Sequence, residues 1–250
     1  MRNFILDHIA SVATVFAIVL IFIPLPELFL NISFILTWGL CLLLFFTVQN
    51  SKEKMLSLPR KILFLTLLIL ALEISYSRII LSVEMRIRIN PDTCFKYMYI
   101  INIIVAIMLL LLAFRFIRKG VTVAVEAAAR FALDSMNQKI FDIDNKVVSG
   151  SISKDEAEKQ KDNLRKEIDF YSNLVGISKF FIGNMKALIF LYVISIAGGS
   201  LYGVHQYGYS VHGALNIVSL TSLLAAIYGS LCMTFLAACV TYSTKDIKED

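Results

Sequence analysis

Apolar residues fall in long runs with short polar breaks, and one larger polar segment, residues 118–186, divides them. A hydrocarbon core about 30 Å thick takes roughly 20 apolar residues of helix to cross. Residues 9–24, 28–49, 62–81, 97–117 and 187–204 are apolar runs of that order. Residues 211–242 form a longer stretch, broken only weakly at Tyr228-Gly229-Ser230, and read as one tilted helix or as two short ones. The pattern predicts an all-α integral membrane protein with six or seven transmembrane helices and a cytoplasmic two-helix loop domain between spans four and five. Residues 1–117 would hold spans one to four, 118–186 the loop, 187–242 spans five and six or five to seven, and 243–250 a short tail. The first run makes a poor secretory leader: a lone Arg2 precedes it, Asp7 and His8 stand at its mouth, and a Pro-rich stretch rather than a small-residue cleavage site follows. It is read as a membrane helix.

Composition agrees with the pattern. Of the 250 residues, 58% are hydrophobic and 17% charged, and a mean hydropathy of +0.73 excludes an ordinary soluble domain. The net charge of +5 is read as a determinant of orientation, not as a nucleic-acid surface. Lys52, Lys54, Arg60 and Lys61 put the second connection in the cytoplasm, and with it the amino terminus, the segment 118–186 and the tail. The connection around 82–97 then faces outward, with Arg86, Arg88 and Lys96 against Glu84 and Asp92 as a mild departure from the rule. Cys41, Cys94, Cys232 and Cys239 have no metal or redox spacing and read as small core residues.

Within the predicted spans, Ser195, Gly199 and Gly203 follow a small-xxx-small spacing that lets helix backbones approach closely. Glu73 lies near the middle of its span, where an ionised carboxylate costs several kcal/mol unless it is protonated, paired or wet, so it should face the bundle or a water-filled cavity. Arg78, five residues on, sits about 140° around an ideal helix from Glu73, which excludes a simple i,i+4 pair. It is expected to snorkel outward or to pair with another helix.

The polar segment has its own organisation. Residues 121–136 are rich in helix formers, with Glu126 four residues before Arg130 in the favourable ion-pair order. A helix to about Met136 is expected. Residues 137–148 alternate polar and apolar, and Ser149-Gly150-Ser151 marks a turn. Ser153 and Glu156 form a capping box that opens a second, highly charged helix. On it Leu164, Ile168, Tyr171 and Val175 recur at four, three and four residues, one apolar stripe for a partner surface.

These residues resemble the FHIPEP family, the large export-gate proteins of flagellar and virulence-type type III secretion. The stretch "EAAARFALDSMNQKIFDID" is similar to that family's signature, keeping Glu126, Arg130, Phe131, Leu133, Asp134, Met136, Lys139, Ile143 and Asp144 in register. Further on, "DFYSNLVGISKFFIGN" resembles a second block through Asp169, Phe170, Tyr171, Gly176, Ser178, Lys179, Phe180 and Gly183. Two upstream blocks look similar as well, including Pro24, Pro26, Pro59, Ser77 and Arg78. The resemblance implies a homo-oligomeric ring in the bacterial inner membrane, working beside other export-apparatus proteins and using the proton-motive force to move unfolded protein substrates. It also implies that Lys139 and Asp144 belong to a loop coupling proton movement to export. A carboxylate that exchanges protons needs burial or a neighbouring acid to favour its neutral form. Asp142 is that neighbour in sequence, and Lys139 would act in the opposite sense.

The chain also departs from the family pattern. Asn137-Gln138 replace a Pro-Gly, Asn184 replaces an aspartate, Ile69 an arginine and Glu73 an asparagine, and the late Gly-Asp-Gly and Gln-Ile-Pro motifs correspond to 224–226 and 230–232. Family members continue into a large cytosolic domain beyond the position of Asp250, so substrate docking is expected to need a domain that this chain does not contain. Two other readings stand beside the export gate: a repurposed structural ring without proton coupling, and an unrelated small transporter with Glu73 and Arg78 on a midplane pathway. His8, His205 and His212 have no metal-ligand partners at useful spacing, and no nucleophile or phosphate-binding motif occurs, so neither an enzyme nor a cofactor is expected.

Overall fold

A computed structural model describes residues 26–51, 56–82 and 97–244, together with Val15 and Phe22. The rest of the expected first span, Lys52 and Lys54, the outward connection 83–96 and most of the tail lie outside the described residues. All described elements are helical: α1 (Glu27–Asn50), α2 (Leu58–Ser82), α3 (Met98–Arg115), α4 (Thr122–Val148), α5 (Lys154–Tyr207) and α6 (Val211–Ser243). A π-helical turn, Phe116–Val121, joins α3 to α4 without interrupting the rod. Among the described residues five helices are long and apolar enough to cross a membrane: Leu28–Asn50, Leu58–Leu81, Met98–Val148, Lys154–Tyr207 and Val211–Ser243.

The stretch that read as one helix or two is one. Tyr228-Gly229-Ser230 does not break α6, because Gly229 is a point of close approach, its missing side chain making room for Glu73 and Leu188. α6 packs against α1, α2, α3 and α5. Cys232, Met233, Leu236 and Ala237 are fully buried there, with Ile62 and Ile69 of α2 and Phe181 and Met185 of α5 in the same core. Leu36 and Leu43 of α1 and Ile104, Met108 and Leu112 of α3 are each more than half exposed. Those apolar surfaces are what lipid would cover.

The polar segment differs from its expected form. The helix thought to end near Met136 runs to Val148, and the apparent alternation in 137–148 hides a helical stripe. Met136, Ile140 and Val147 are partly buried and Ile143 is buried, at spacings of four, three and four. The turn does fall at Ser149-Gly150, with Gly150 at φ 70°, a left-handed conformation that glycine adopts without steric cost. Ser153 then caps α5, its Oγ accepting from the Glu156 N–H at 3.2 Å. The 54 residues of α5 make a rod about 80 Å long at 1.5 Å per residue. No chain break separates its charged first part from its apolar second part. α4 and the first part of α5 therefore form an antiparallel hairpin continuous with the helices below it. Ala128 and Ala129 let α4 approach Phe170, Tyr171 and Leu174 of α5, all buried in the main core.

Candidate functional sites in the hairpin and the bundle

In the hairpin, helical geometry separates residues that stand close in sequence. Asp144 points to α5, where its Oδ1 accepts from Lys161 Nζ at 2.6 Å. Lys139 lies 4.0 Å from Glu167. Asp142 is exposed, and residues two apart on a helix do not face one another. Asp142, the neighbouring acid in sequence, therefore stands on another face of α4 from Asp144. The surroundings of Asp144 at the hairpin tip are instead Lys154, Asp155, Lys161, Asp162 and Arg165 along an open groove.

Nearer the bundle, Glu126 and Arg130 line a second groove of about 400 Å³ with Leu133, Asp169, Ser172 and Lys179. The groove carries two acids and two bases, so it has no single sign of charge. Asp134 lies exposed on the same helix, and Phe131 (68% exposed) and Phe141 (64%) stand uncovered.

The bundle holds a polar cluster around Glu73, which faces the interior as its position in the span requires. Glu73 of α2 is 5% exposed, and its Oε1 is buried without a hydrogen-bond partner. It lines a cavity of about 20 Å³ with Ser77 of the same helix, Tyr192 and Ser195 of α5, and Ser222 of α6. The Ser77 and Ser195 hydroxyls are hydrogen-bonded to each other at 2.7 Å. Arg78 turns elsewhere and donates from Nη1 to the Phe22 carbonyl at 3.3 Å. The small-residue face of α5 sits at this junction. A Cβ on Gly199 would stand 3.0 Å from Val218 Cγ1 and 3.1 Å from Ile80 Cγ2, and one on Gly203 3.3 Å from Ala214 Cβ.

Further along the same three helices, the Asn184 amide donates to the Thr66 carbonyl at 3.1 Å and to Met233 Sδ at 3.5 Å. The cysteines Cys41, Cys232 and Cys239 are free and buried; Cys94 lies outside the described residues.

The family model described as "FHIPEP family" matches residues 17–241, through the bundle and the hairpin alike. The chain belongs to the FHIPEP family. It is 33% identical over 227 residues to flagellar biosynthesis protein FlhA of Borreliella burgdorferi, covering 86% of this chain and 33% of that protein. It is 32% identical over 214 residues to flagellar biosynthesis protein FlhA of Salmonella typhimurium, covering 80% and 30%. The protein of the same name from Bacillus subtilis is 32% identical over 214 residues, covering 83% and 32%. The chain thus spans about a third of the length of these FHIPEP relatives. No solved structure matches.

Proposed function

We propose that this chain is the membrane part of a flagellar or virulence-type protein export gate, one that couples the proton-motive force to secretion of unfolded proteins. The observation that carries the reading is the uninterrupted family match across bundle and hairpin. In this reading the chain lies in the bacterial inner membrane with its amino terminus and hairpin in the cytoplasm. Copies assemble as a ring beside other export-apparatus proteins. Uncovered Phe131 and Phe141 give the hairpin an apolar surface for a neighbouring copy.

Coupling would act through the cross-hairpin ion pairs. A proton taken up by Asp144 cancels its attraction to Lys161 and frees the tip of α4 from α5, while Lys139 and Glu167 hold the pair of helices one step nearer the bundle. An ion pair this exposed is worth roughly 0–1 kcal/mol, so its release would shift the tip without unfolding the bundle.

The test is proton influx and secretion of a reporter substrate in cells that export through this protein. Asp144→Asn is expected to lower both severalfold at unchanged protein level. Secretion that persists at the wild-type rate while Asp144→Asn abolishes the ion pair would remove the coupling role. A structural ring without coupling is the second reading. It is favoured by Asn184, a neutral, hydrogen-bonded packing residue at the position where the family resemblance implies an acid.

A further inference from the structure

Glu73 presents a problem of hydrogen-bond accounting. An ionised carboxylate near the middle of a span costs several kcal/mol even by the lenient scales, and a buried polar atom with no partner costs about 1–3 kcal/mol. Glu73 Oε1, Tyr192 Oη and Ser222 Oγ are all buried and all lack a hydrogen-bond partner among the described residues. These three atoms belong to residues on three different helices that line one cavity. A cavity needs about 10–15 Å³ of this measure, and two to four polar partners, to hold a water molecule. This one has about 20 Å³ and three unpartnered groups.

We propose that the cavity is a built site for one water molecule, which together with the Glu73 carboxyl in its acid form makes a proton-binding site inside the bundle. The chemistry matches group for group. Water offers two donors and two acceptor lone pairs. Hydroxyls both donate and accept, and a carboxylic acid has one O–H donor and an acceptor oxygen. Among the described residues lining the cavity no lysine or arginine is present to neutralise a carboxylate. Tyr192 and the Cys232 thiol are the ionisable groups acting around it among the described residues. Gly229 sets the position of the carboxyl: a Cβ there would lie 2.7 Å from Oε1 and 3.2 Å from Leu188 Cδ1. The site stands independently of the coupling proposed for the hairpin.

Infrared difference spectroscopy of the full chain in lipid nanodiscs, in potassium buffer, tests it. The expected result is a carboxylic-acid C=O band that vanishes in Glu73→Gln and shifts in Tyr192→Phe and Ser222→Ala as the water loses a partner. Gly229→Ala, whose added Cβ crowds the carboxyl, should shift the band while keeping every polar group, and it serves if Glu73→Gln fails to fold. Absence of any band that responds to Glu73→Gln or Gly229→Ala overturns the proposal. So does a band unmoved by both Tyr192→Phe and Ser222→Ala, the signature of a dry cavity. A band lost on replacing potassium chloride or choline chloride by sodium chloride would make the site a cation site instead.

Discussion

At Asn184, 3% exposed, the side chain is defined by what its nitrogen can donate. The amide ties α5 to the Thr66 carbonyl of α2 and to Met233 of α6. An aspartate of the same size has no N–H to give, and when ionised it would set a negative charge against a carbonyl oxygen. Asn184→Asp should therefore lower stability by about 1–3 kcal/mol, the cost of an unmet buried group. The midpoint of thermal unfolding in detergent checks this, and an unchanged midpoint would mean that the amide contributes only volume. Gly199 makes a complementary case. Alanine there must displace Val218 or Ile80 by a few tenths of an ångström, and overpacking typically costs about 1–3 kcal/mol. Gly199→Ala is expected to lower the same midpoint, whereas at exposed Gly176, with nothing within 4 Å of a new Cβ, alanine should raise or preserve it through helix propensity. Residue identity alone showed that Glu73 had to be satisfied, but not by what. Tyr192 and Ser222 sit in helices remote in sequence, and an ordinary tyrosine or serine in an apolar run carries no signal until the helices are packed.

Among the elements, the hairpin is the clearest case of a local signal that was legible and a longer one that was not. Ser149-Gly150 and the Ser153 cap mark both sides of the turn, because turn and cap chemistry depend on a few adjacent residues. The extent of α4 depends instead on its partner. Ile143 gains its value as a helical position only when α5 is present to bury it, and without that partner the polar–apolar alternation around it suggests an irregular loop. The π turn was illegible as well. Ile117 and Val121 are buried while Arg118, Lys119 and Gly120 are exposed, a spacing of four that an ordinary α-helix meets equally well, so the pattern carried no sign of it. Once α4 is helical, the ion pairs become staples between rods, and Lys161→Met gives a test at this scale. Amide hydrogen exchange should rise severalfold in residues 140–165 and stay at the wild-type rate in α2 and α6. Raising the salt concentration should produce part of the same effect in the wild type by screening. Uniform exchange throughout, with or without Lys161, would show that apolar contacts alone hold the tip.

For the molecule as a whole, apolar run lengths located the crossings within the described residues, since the bilayer imposes a length that single helices must meet. What they did not reveal is that two of the crossings continue directly into the hairpin, making α5 a single rod from the Ser149–Ser153 turn to Gly208. A continuous rod that crosses the bilayer has its two ends on opposite faces, the relation that basic-residue counting suggests and that labelling can test. Ser151 and Gln206 are exposed near those ends, and the native cysteines among the described residues are buried. In a Cys94→Ala background, Gln206→Cys should react with a membrane-impermeant thiol reagent in intact cells, and Ser151→Cys only after the membrane is opened. The reverse pattern would invert the topology and place the hairpin outside. Labelling of both positions in intact cells would mean that α5 does not cross at all, and a coupling passed from hairpin to bundle across the bilayer would lose its physical basis.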